Sequence, residues 1–107
     1  MATTYKILGQ QAPGTTGAVL YTVPAAGQAV VSTLVATNTS AAVKTFRALV
    51  RSGSTHGLQN HLAYDSQIPA NDSIIMTLGI AMSGSCQLVV SGSTTDVSFN
   101  AFGSEIT

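Results

Sequence analysis

The feature that most constrains this chain is the rhythm of its turn residues. Glycine, serine, asparagine and aspartate recur about every ten residues, and short apolar, β-branched runs such as "AVLYTV", "QAVVSTLVATN" and "CQLVVSG" lie between them. β-Branched side chains lose rotamer freedom in a helix and pack well on a pleated surface. Short strands at even spacing, divided by turn signals, predict an all-β sandwich or barrel.

On that basis the sequence predicts about eight strands: Thr3–Gln10, Ala18–Val23, Gln28–Asn38, Val43–Arg51, His61–Ile68, Ser73–Met82, Cys86–Gly92 and Asp96–Ile106. Pro24 closes the second, because it cannot donate to a ladder. "PAND" reads as a turn, with Asn and Asp tolerating turn dihedrals. Gly79 marks a possible bulge in the sixth. The expected fold is a single antiparallel β-sandwich, jelly-roll or Greek-key-like, with residues 1–107 as one domain. The sequence leaves the order of strands open.

Charge is the unusual part of the composition. Asp, Glu, Lys and Arg make up 7% of the chain and cancel to a net charge of zero, against roughly 25% in an ordinary soluble protein. An uncharged surface self-associates readily, and charge depletion is typical of interface cores. A surface coated with Ser and Thr hydroxyls is the simpler alternative. The four cations, Lys6, Lys44, Arg47 and Arg51, all precede the four anions, Asp65, Asp72, Asp96 and Glu105. That order raises the expectation that neighbouring copies meet basic face to acidic face.

In the strand "VKTFRALVR", period-two alternation turns Phe46, Ala48 and Val50 inward and Arg47, Leu49 and Arg51 outward. Arg47, Leu49 and Arg51, together with Lys44 at the start of the same strand, are the candidate partner-contact residues. An ordinary solvated face fits the same pattern.

Other chemistries find little support. Four cations neutralise few phosphates, so a nucleic acid is not an expected partner. No apolar run reaches membrane-spanning length, and "MATTYKILGQ" lacks a secretory pattern, which predicts a product kept in the cytoplasm until release. Cys86 stands alone in an apolar run and reads as a small buried hydrophobe. His56, His61 and Asp65 come nearest to a metal set, but hydrogen bonding or a His–carboxylate pair at a subunit contact is the preferred reading, and no metal or cofactor is expected. There is no "GxSxG" elbow and no "GxxxxGK" loop; the repeated "SGS" reads as turns. No catalytic residue is assigned. Asn38-Thr-Ser and Asn71-Asp-Ser match the glycosylation pattern, which has no meaning without export.

Taken in order, "YKILGQ", "LYTVPA", "AVVSTLVATN", "TFRALVR", "IPANDSIIMTLGI" and "VSFNAFGSEI" resemble small virion proteins of tailed bacteriophages. The resemblance runs along nearly the whole chain. It implies a non-enzymatic β-sandwich of the particle, of capsid decoration or cement type. It further implies a homo-oligomer, a trimer by that analogy, bound on the capsid surface to the major capsid protein after assembly in the host cytoplasm. Similar domains occur in tails and fibres, so a receptor-binding module is the alternative.

Overall fold

The computed structural model describes residues 3–53 and 57–107. Eight strands carry the chain: β1 (Thr3–Gln11), β2 (Ala18–Thr22), β3 (Gln28–Asn38), β4 (Lys44–Ser52), β5 (His61–Ile68), β6 (Ser73–Ser83), β7 (Cys86–Gly92) and β8 (Val97–Ile106). Single 3-10 turns lie at Gly14–Thr16 and Leu58–Asn60. The predicted strands are all present, with ends displaced by one residue at most.

The strands form two four-stranded antiparallel sheets, ordered β1-β8-β3-β6 and β2-β7-β4-β5. β1 pairs with β8, β2 with β7, β3 with β6 and β4 with β5. The chain is thus one long ribbon, its first half laid against its second and then rolled over itself. That arrangement is a jelly roll, one of the two topologies the sequence left open.

Alternation explains the layers. On β3, Ala29, Val31, Leu34, Ala36 and Asn38 are buried, while the residues between them are exposed or half-buried. The change of parity at Ser32 is a bulge, where that single residue opposes positions 78 and 79 of β6. Gly79 therefore stands where the sequence placed an irregularity. The core lies between the sheets. Its centre is Phe46 of β4 against Phe99 of β8, with ring centroids 6.0 Å apart and planes tilted by 59°. Leu34, Ile68, Leu88, Val90 and Val97 surround them.

Two local features fix how the strands and turns fit together. Gly103 of β8 lies so close to β3 that a Cβ there would sit 2.0 Å from the Val30 carbonyl oxygen. At one end of the sandwich, the buried Asn38 side chain joins two turns. Its amide nitrogen donates to the carbonyls of Ala42 (2.7 Å), Ile68 (3.1 Å) and Pro69 (3.2 Å). Its oxygen accepts from the Ser40 backbone N–H (2.9 Å) and hydroxyl (2.8 Å). An amide used this fully leaves no room for a glycan. In the neighbouring turn Asn71 takes a left-handed φ of 54°, as the "PAND" reading allows.

Candidate interaction surfaces

The sandwich has two outward faces, and their chemistry differs. The register across β1-β8-β3-β6 puts side chains on the outer face in transverse rows. One row is Tyr5, Ser104, Val30 and Ala81. The next is Ile7, Phe102, Thr33 and Thr77, and a third is Gln10, Asn100, Val35 and Ile75. No charged residue occupies this face among the described residues. Tyr5 is 84% exposed, Ile75 65%, Ile7 53% and Val30 36%. At one end Gln28, Val30, Ala81, Met82, Ser83 and Ile106 line an open hollow of about 340 Å³. Exposed apolar side chains are unremarkable singly, but a charge-free face four strands wide is typical of surfaces that become covered.

The opposite face, over β2-β7-β4-β5, carries the arginines. Arg47 binds Asp65 of β5 through two hydrogen bonds, Nε to Oδ1 at 2.7 Å and an Nη to Oδ2 at 3.1 Å. Its guanidinium also lies 4.0 Å from the Tyr64 ring centroid. His61 meets the same ring edge-on at 5.0 Å. These hydrogen bonds, then the nearby charge, hold the Asp65 carboxyl below its usual range. Arg51 donates from Nε to Gln87 Oε1 at 2.9 Å on the adjacent strand. Thr15, Thr45, Arg47, Asp65, Ser91 and Ser93 border a groove of about 230 Å³ beside this cluster.

Of the four predicted contact residues, Lys44, Arg47, Leu49 and Arg51 all lie on β4. Leu49 shares the outer face with the arginines, as alternation required, but it is only 5% exposed. Its row runs from Val89 through Leu49 to His61. Those neighbours flank it, and Thr15 and Thr16 of the turn that packs on β7 stand across a small hollow from it. Alternation fixes which face a side chain takes but not what folds over that face. Leu49 therefore offers little surface of its own.

The charge order also reads differently in space. Lys6 pairs with Glu105 at 3.1 Å, and Arg47 with Asp65, both within one chain. The ribbon brings early cations onto late anions, so two of the supposed intermolecular partners are satisfied internally. His56 lies outside the described residues. Among those described, no group of three or more His, Cys, Asp or Glu side chains is placed to hold a metal ion.

Glu105 does one further job. It accepts a 2.5 Å hydrogen bond from the Tyr21 hydroxyl of β2, tying one sheet to the other. The Tyr21 bond first, and then the Lys6 bond, hold Glu105 below its ordinary pKa. Burial, followed by that same hydrogen bond, pushes the Tyr21 phenol above its own. A depressed carboxylate contributes stability that is present above its ordinary pKa and lost as pH falls through the lowered value. Tyr21→Phe removes the main cause of the depression. The stability gap between wild type and Tyr21→Phe is therefore expected to be widest near neutrality and to narrow on acidification below the carboxylate range. Urea unfolding at pH 7 and pH 3 measures it. A gap independent of pH would place the bond outside the energetics of the fold.

No family model matches the sequence, and no curated protein matches it. Among solved structures, the chain is similar to one from the infectious bursal disease virus Gx strain, with a TM-score of 0.56 and 16% identity over 97% of this chain and 32% of that one. The corresponding chain of the Gt strain gives a TM-score of 0.48 and 13% identity over 97% and 28%. The chain thus spans about a third of the length of the first of these. At this identity the likeness establishes the fold.

Proposed function

We propose that this chain is a non-enzymatic structural protein of a virion, of capsid decoration or cement type, seated on the capsid surface against the major capsid protein. The observation that carries this reading is the two-faced sandwich: one outer face without charge, the other presenting Arg47 and Arg51. Such a domain suits a layered assembly, where each face meets a different surface. The sharing of its fold with a chain from a virus structure supports the same reading.

A cement protein binds the assembled lattice better than its separated parts, and by linkage its binding energy adds to shell stability. Modest contacts suffice when repeated over many copies. In this reading Lys44, Arg47 and Arg51 meet the shell. The groove beside Arg47 and Tyr64 favours the second reading, a tail or fibre module that binds a receptor.

Copy number separates the two. Quantitative mass spectrometry of purified particles is expected to give a ratio to the major capsid protein near one, or a simple fraction. A few copies per particle would move the chain to the tail, and none would defeat both readings. The Arg47→Glu, Arg51→Glu double variant is expected to lower particle occupancy about tenfold, because reversed interfacial charges repel where they attracted. The isolated fold should keep its circular dichroism, since an exposed Arg–Asp pair contributes little to stability. Unchanged occupancy would remove these arginines from the contact.

A further inference from the structure

We propose that the charge-free outer face of β1-β8-β3-β6 is covered by the same face of a second copy, forming a two-fold pair with its axis along the strands. This inference goes beyond the shell reading and does not depend on it, since it concerns the protein alone in solution.

Three observations lead to it. The first is charge. A face with no ionised group cannot pair a partner's charges, so any charged surface laid on it would lose solvation without return. Its partner must be equally uncharged, and this face itself has that chemistry. The second is size. Four strands at about 4.8 Å spacing and strands of about ten residues at 3.3 Å rise give a flat area near 650 Å². Side-chain relief enlarges it towards the ~800 Å² per partner of a standard stable interface.

The third is shape. Rotation about an axis parallel to the strands, lying between the stacked sheets, keeps each transverse row in place and exchanges its ends. Tyr5, at the β1 edge, then lies over Ala81 of the other copy, at the β6 edge. Ala81 borders the open hollow, which receives the phenol ring. In the same row Val30 meets Ser104. In the next row Ile7 meets Thr77 and Phe102 meets Thr33. Large side chains meet small ones along these two rows; in the third, Ile75 meets Gln10 and Val35 meets Asn100. Rotation about an axis across the strands would instead carry Tyr5 into a different row and leave the hollow empty. Aligned stacking of two sheets is an ordinary mode of β packing, and an isologous face closes on two copies. The pair has two members, not the three that the phage resemblance implies.

The test uses the full chain. Sedimentation equilibrium across micromolar to about 100 µM, the range in which an interface of this area is expected to associate, should show a mass twice the 10.9 kDa of one chain. Ala81→Arg should give a monomer with an unchanged far-ultraviolet spectrum. A second measurement does not depend on that variant folding. Tyr5→Cys with Ala81→Cys, in a Cys86→Ser background, should form a disulfide-linked dimer on mild oxidation. Within one chain those positions stand at opposite edges of the sheet, three strand spacings apart, and a disulfide cannot span them. A monomer at every concentration, a trimer, a dimer that survives Ala81→Arg, or failure of the paired cysteines to cross-link would each overturn the proposal. None of these outcomes bears on particle copy number, so the two readings fail separately.

Discussion

Asn38→Asp is expected to destabilise the fold by about 4 kcal/mol, lowering Tm by roughly 20 °C. The substitution keeps the shape and replaces one nitrogen by oxygen. That nitrogen donates to three carbonyls, those of Ala42, Ile68 and Pro69, from a side chain that is 1% exposed. The amide shares two N–H bonds among these carbonyls and an ionised carboxylate offers none. Ala42 keeps the Ser40 hydroxyl, but the buried Ile68 carbonyl left without this donor costs about 1–3 kcal/mol, and the buried charge adds to it. Burial and the carbonyls both favour the protonated acid, so the introduced group has a raised pKa in the folded state. Stability tied to a raised pKa is present at low pH and lost as pH rises. The deficit relative to wild type should therefore shrink between pH 7 and pH 4, which chemical denaturation at the two values will show. Asn38→Ala also loses the donor but introduces no charge, so its deficit should be smaller and independent of pH. Equal deficits for the two variants at pH 7 would mean the site admits water.

Gly103→Ala is expected to cost about 3 kcal/mol or more, a large effect for one methyl group. The new Cβ would meet the Val30 carbonyl oxygen at 2.0 Å and its carbon at 3.0 Å. Both atoms belong to the backbone of β3, so no rotamer change relieves the clash. β3 and β8 are the two inner strands of their sheet, and separating them disturbs the pairing on either side. Gly79→Ala is the matched control. It sits at the β6 bulge with nothing within 4 Å of a Cβ, and its effect should stay within about 0.5 kcal/mol. Thermal unfolding of the two variants side by side tests the contrast. Similar losses at both positions would mean that generic strand propensity, and not the close approach of β3, sets the cost.

Strand positions were legible in the sequence because both signals that define them are local. Alternation shows in "VSFNAFGSEI", and the turn residues of "PAND" bound β5 and β6. Strand order was not legible, because pairing β1 with β8 depends on contacts between opposite ends of the chain. The same distance misled the reading of charge. Cations early and anions late look segregated along a line, yet the ribbon folds Lys6 onto Glu105 and Arg47 onto Asp65. Leu49 shows a subtler limit, since parity puts it on the correct face but does not reveal that only 5% of it is exposed. Asn38 belongs to an Asn-Thr-Ser glycosylation pattern in the sequence. It also shares the parity of Leu34 and Ala36, and a polar residue at a core position must have partners. The charge-free face emerged only when four separated strands were set side by side.

The rolled ribbon also dictates an order of events during synthesis. β4 and β5 are neighbours in sequence and pair first at little entropic cost, whereas β1 waits for β8. As the chain leaves the ribosome, β1 has no strand to join until β8 has been made, and its Leu8, buried in the finished fold, waits with it. A nascent chain of this design cannot complete either sheet piecemeal, because β7 must arrive to unite β2 with β4, and β8 to unite β1 with β3. β1 is therefore the segment on which a ribosome-associated chaperone would act longest.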